Sequence, residues 1–140
     1  MEIMAGGGAD TSWRTVRVVL AAHGIVTLAA AVVLAVFPAA IPATVGIVVE
    51  ADSYLLSYFL AAAELAIGLL SLGAVTLADA RALRLIIGVF IVFHLATAIL
   101  EIVYALRAGM TPVLTGNILV RVLAIVVFLV AGRAVRQVRQ

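Results

Sequence analysis

Polar side chains are sparse in this chain, and they recur at helical rather than strand spacing. Four long apolar runs, 18–37, 54–77, 85–106 and 112–132, each hold about 20 residues or more, enough for a helix to cross a hydrocarbon layer about 30 Å thick. In the third run His94, Thr97, Glu101 and Tyr104 follow at spacings of three to four, which predicts one polar helix face. The second run repeats the pattern with Ser57, Ala61, Glu64, Gly68 and Ser71, and the fourth with Asn117, Arg121 and Ala124. Only His23 and Thr27 interrupt the first run. The pattern predicts an all-α membrane protein, an antiparallel bundle of four transmembrane helices whose polar faces meet inside.

The breaks between runs have their own signals. Pro38 and Pro42 end the first span, and Ile41, Val45 and Val48 then recur at spacings of four and three. A short interfacial helix with Pro42 at its first position is expected there. Asp52 or Ser53 can cap the second span. The connection 78–84 is short enough to join antiparallel neighbours. Gly109 marks the end of the third span, and Thr111 with Pro112 marks the start of the fourth. Residues 1–12, with three consecutive glycines, are expected to form a flexible tail, 13–132 the membrane domain and 133–140 a basic cytoplasmic tail. A cleaved signal peptide is the competing reading of the first span, but its run is longer than such a core and three more spans follow.

Composition agrees and narrows the class. Hydrophobic residues make up 66% of 140, charged residues 11%, and mean hydropathy is +1.33; a soluble chain of this size could not cover so much apolar surface. Without cysteine there are no disulfides, thiolate metal ligands or cysteine nucleophiles. Nine arginines and no lysine point to a GC-rich bacterial genome. Arg14, Arg17, Arg81, Arg84, Arg133, Arg136 and Arg139 fall on one side of the predicted topology and only Arg107 in the loops of the other. The positive-inside rule then puts both termini in the cytoplasm of a multi-pass protein of the bacterial plasma membrane. The basic C-terminal tail reads as an anchor on anionic lipid, and nucleic acid is not an expected partner.

Chemistry is expected where charge is buried. A charge at a helix centre costs on the order of 3 kcal/mol, against roughly 6 kcal/mol from the 14 Leu, Ile, Val and Phe residues of the third run at about 0.4 each. The helices insert in spite of the charges, so Glu64, Glu101 and Arg121 must face one another. One arginine can neutralise one carboxylate, which leaves a surplus acid to be compensated by its own proton or by His94. The expected network is Glu64, His94, Thr97, Glu101, Asn117 and Arg121, with His23 at its margin. It serves either as helix-to-helix glue or as a site. As a site it suits a binding or accessory subunit for a small lipophilic ligand or a membrane partner. It also suits an acid/base enzyme of the isomerase or cyclase type using Glu64, His94 and Glu101, or a proton-linked transporter working as a homo-oligomer. No metal site and no cofactor is expected. His23 and His94 as axial haem ligands are disfavoured because their places in the runs suggest unequal depths, and the Glu-x-x-His pairs of di-iron bundles are missing.

The segments FPAAIPATVGI, SYFLAAAELAIGLL and RALRLIIGVFIVFHLATAILEIVYAL resemble the small four-helix bacterial proteins of the DoxX-like and related domain-of-unknown-function families. The resemblance covers most of residues 18–132 and implies the four-helix architecture. Because some DoxX-type proteins are accessory subunits in quinone-coupled oxidation of sulfur compounds, it also implies a lipophilic partner. It assigns no functional residue.

Overall fold

A computed structural model describes residues 7–137, and every regular element among them is helical. The order is α1 (Gly7–Val36), α2 (Ala40–Thr44), a 3-10 turn (Ala51–Ser53), α3 (Tyr54–Ala74), α4 (Ala80–Ala108) and α5 (Pro112–Gln137). Helices α1, α3, α4 and α5 are each long and apolar enough to cross a membrane, and they form a four-helix antiparallel bundle. Large apolar side chains stand outward on all four, among them Val26, Leu56, Leu106 and Leu123. Water would not tolerate such an exterior, and lipid would.

Helices α1 and α5 run beyond the apolar runs. α1 continues back through residues 7–12, where a tail was expected, and α5 continues through Gln137 into the expected basic tail; residues 1–6 and 138–140 lie outside the described part. Once a membrane-length helix exists, adding residues costs little compared with nucleation. The loop helix is shorter than its pattern suggests. α2 stops at Thr44, and Gly46 at φ 81° turns the chain before Val48 can join. Pro42 is the third residue of α2, not the first; its missing N–H would have no partner within that turn anyway. Ser53 does occupy the N-cap of α3, but the preceding 3-10 turn keeps it helical and its hydroxyl donates to Asp52 instead of capping.

Other boundary signals act as expected. Gly109 ends α4 at φ 93° with its N–H on Ala105, a backbone shape that favours glycine. Thr111 Oγ1 accepts from the N–H of Leu114 at 3.1 Å, capping α5 ahead of Pro112. Asp79, not anticipated as a cap, closes the start of α4 through the N–H of Arg81 at 2.7 Å.

Packing is uneven. α1 lies closest to α3, α4 to α5, and α1 also meets α5, whereas α3 and α4 barely touch despite their short connection. Glycine explains the α1–α3 approach. A Cβ on Gly24 would stand 3.1 Å from the Gly68 carbonyl oxygen, and a Cβ on Gly68 would stand 3.2 Å from that of Gly24. Each glycine makes room for the other's backbone. At the end of the bundle where α1 begins and α5 ends, Val16, Leu20, Leu83, Ile87, Phe90, Phe128, Ala131 and Val135 form a continuous apolar core. The polar groups sit on top of it.

Candidate functional site

Each helix contributes to one polar cluster. α3 supplies the face anticipated from its spacing, and Ser57, Ala61, Glu64, Gly68 and Ser71 are all buried. α4 departs from expectation. Its buried line is Leu83, Ile87, Phe90, His94, Ala98 and Ala105, with Glu101 partly covered beside it. At 100° per residue Glu101 lies about 20° from His94, but Thr97 about 60° and Tyr104 about 80° away on the flank. Thr97 accordingly turns its hydroxyl to the Phe93 carbonyl of its own helix at 2.8 Å, outside the network. Tyr104 faces outward. Asn117 is half-buried and makes no hydrogen bond with the described residues.

His23, expected at the margin, is central. Its Nε2 lies 3.2 Å from His94 Nε2, so the two histidines share one depth, contrary to the expectation of unequal depths. That expectation counted from the starts of the apolar runs, whereas α1 and α4 begin several residues earlier. Direct contact at 3.2 Å is hydrogen-bond distance, shorter than the roughly 4 Å that two axial bonds of about 2 Å to one iron would require. No group of three or more His, Asp or Glu side chains is arranged to hold a metal ion among the described residues.

The hydrogen bonds around this pair can point in only one direction. Ser71 Oγ donates to the Leu20 carbonyl at 2.9 Å, so it must accept from His23 Nδ1, 3.0 Å away. At the other end the Arg121 guanidinium can only donate, so His94 Nδ1, 3.4 Å away, must accept. A neutral His94 therefore carries its proton on Nε2 and gives it to His23 Nε2. The chain runs Arg121, His94, His23, Ser71, Leu20 carbonyl, and both of its ends require the same tautomers.

Aromatic rings enclose the dyad. Phe90 and Phe128 stand 4.8 and 5.0 Å from the His23 ring, and Phe128 stacks on His94 at 5.9 Å. Phe93 meets the His94 ring at 5.4 Å and has the Arg121 guanidinium 5.9 Å from its centroid. These rings and Ser71 were not picked out as site residues in the sequence. Ser71 was visible on the α3 face, but Phe90 and Phe128 looked like ordinary core.

Charge is unevenly served. Arg121 Nε lies 3.8 Å from Glu101 Oε1, within ion-pair range but beyond a hydrogen bond. Glu101 Oε2 is buried with no hydrogen-bond partner. Glu64, 8% exposed, feels the Arg121 charge but makes no hydrogen bond with the described residues. Of the two carboxylates competing for the arginine, Glu101 is the one in contact with it.

Fold and site together define a four-helix membrane bundle in which a buried His94 meets a half-buried His23 beside an incompletely satisfied Arg–Glu pair. In comparison with known proteins, the chain matches no family model, no curated protein and no solved structure.

Proposed function

We propose that this is a binding or accessory protein of the bacterial plasma membrane, with cytoplasmic termini, that holds the polar head of a small lipophilic molecule between Glu101 and Arg121. The observation that carries the reading is the partnerless Glu101 Oε2, buried next to a guanidinium that uses one donor at 3.4 Å and otherwise only approaches the carboxylate. Buried polar atoms are normally satisfied, and leaving one unmade costs about 1–3 kcal/mol. A head group that both donates and accepts, such as a hydroxyl, completes both: its proton goes to Oε2 and its oxygen takes an Arg121 N–H. The rest of the molecule would lie along the apolar helix faces. This role is the one that the sequence resemblance to DoxX-like proteins implies.

The test uses 4-hexylphenol and its O-methyl ether, in which a methyl group replaces the donor hydrogen, with the purified protein in lipid nanodiscs. Saturable binding of the phenol, weakened at least tenfold by methylation or by Glu101→Gln, is the expected result. Equal binding of phenol and ether, or a Glu101→Gln variant that binds as well as the parent, would sink the proposal.

A further inference from the structure

We propose that the His23–His94 pair is a proton-operated switch that opens and closes the Arg121–Glu101 site. The neutral pair has two N–H groups and two lone pairs, placed as above: His23 Nδ1–H to Ser71, His94 Nε2–H to His23, and the His94 Nδ1 lone pair facing Arg121. One added proton leaves three N–H groups and a single lone pair. The Nε2–Nε2 contact at 3.2 Å consumes that lone pair, so both Nδ1 atoms become donors whichever ring carries the charge.

Nothing changes for His23, whose Nδ1 already donates to Ser71. Everything changes at His94, where an N–H now points at the Arg121 N–H across 3.4 Å. Two donors, one of them on a second cation, cannot share that contact, and the guanidinium moves off. The carboxylate it already approaches is Glu101, with Oε1 3.8 Å from Nε. A shift of about 1 Å makes a charge-assisted hydrogen bond, and a bidentate pair engages Oε2 as well. The atoms that would bind a hydroxyl head are then paired with each other.

The other groups around the pair leave this route as the outlet. From α3 come only the Ser71 hydroxyl, already committed, and Glu64, which feels Arg121 without bonding to it. α4 adds Glu101 and α5 adds Arg121. Arg84 and Arg133 lie roughly 15 Å or more along their helices from His94 and Arg121, on the side of the apolar core.

Coupling between the histidines and Arg121 follows from geometry alone, while its effect on a ligand rests on the proposed hydroxyl site. Binding a hydroxyl head then expels one proton from the pair to water.

The decisive measurement is nitrogen-15 NMR of the ligand-free protein in nanodiscs, with labelled histidine and arginine. The expected neutral pair has His23 protonated on Nδ1 and His94 on Nε2; finding both rings in the same tautomer overturns the proposal. On acidification the His94 Nδ1 proton and the Arg121 Nε–H resonance should respond at one midpoint. An Arg121 signal indifferent to that titration, or a pair that stays neutral over the whole range in which the fold survives, overturns it too. Below the midpoint, affinity for 4-hexylphenol should fall about tenfold per pH unit. Binding that is flat with pH refutes the switch and leaves the hydroxyl site standing. The coupled titration without phenol binding at any pH supports the switch and removes the hydroxyl site.

Discussion

At the scale of single residues, the arithmetic of charge decides what each carboxylate can be. Arg121 contacts Glu101 and is felt by Glu64, so removing it leaves two acids without a cation. Breaking a buried ion pair by deleting one partner costs about 3–5 kcal/mol, while replacing the whole pair with apolar residues is often neutral. Arg121→Met should therefore lower stability by about that amount in denaturant titrations of the reconstituted protein. Adding Glu101→Leu should recover only part of the loss, and adding Glu64→Leu the remainder. Full recovery at the double variant would show that Glu64 carries no charge in the folded bundle. The three charged residues were legible in the sequence because a membrane interior makes every ionisable group conspicuous. Which acid meets the arginine was not legible, since that depends on the relative rotation of α4 and α5, and spacing within one helix does not set it.

Among the elements, α3 shows what periodicity can deliver and α4 where it fails. Ser57, Ala61, Glu64, Gly68 and Ser71 alternate steps of four and three, averaging close to the helical period, and all are buried. His94, Thr97, Glu101 and Tyr104 average a little over three per step, so the line drifts around α4, leaving Thr97 part-buried on the flank and Tyr104 exposed. Alanines at 98 and 105 occupy the true face, and an alanine carries no signal that separates it from lipid-facing neighbours. The placement of His23 on α1 depends equally on how closely the backbones of α1 and α3 approach, since its bond to Ser71 crosses that gap. Gly24→Ala puts a Cβ 2.8 Å from the Leu72 side chain and 3.1 Å from the Gly68 carbonyl, and backbone cannot yield as a side chain can. A loss of about 1–3 kcal/mol is expected, together with a shifted His23 ring resonance. Gly73→Ala, where nothing lies within 4 Å, is the matched control and should be neutral or stabilising by about 0.5–1 kcal/mol. Equal effects at the two glycines would mean that the close crossing does not hold the histidine in place.

For the whole molecule, the bundle divides into an end with an apolar core and an end with buried polar groups, and the direction in which it sits in the bilayer decides which compartment the switch reads. The apolar core of Val16, Leu20, Leu83, Ile87, Phe128 and Val135 fills the end shared by the start of α1 and the finish of α5. The His23–His94 pair lies above it, with Glu101 about 10 Å further along α4 toward the opposite end. Glu101 and Arg121 continue the polar groups from the pair toward the side carrying the α2 loop and the α4–α5 turn, so protons have the more polar path from that side. If the arginine asymmetry sets orientation, that side is extracytoplasmic, and the pair reports external pH. The chain contains no cysteine, so single reporters are free of background. Val48→Cys, at a position 84% exposed in the loop after α2, and Arg81→Cys, exposed at the start of α4, mark the two ends. In intact bacterial cells a membrane-impermeant maleimide should label the first and leave the second unlabelled until the cells are opened. The reverse pattern would place the termini outside and the proton supply of the switch in the cytoplasm.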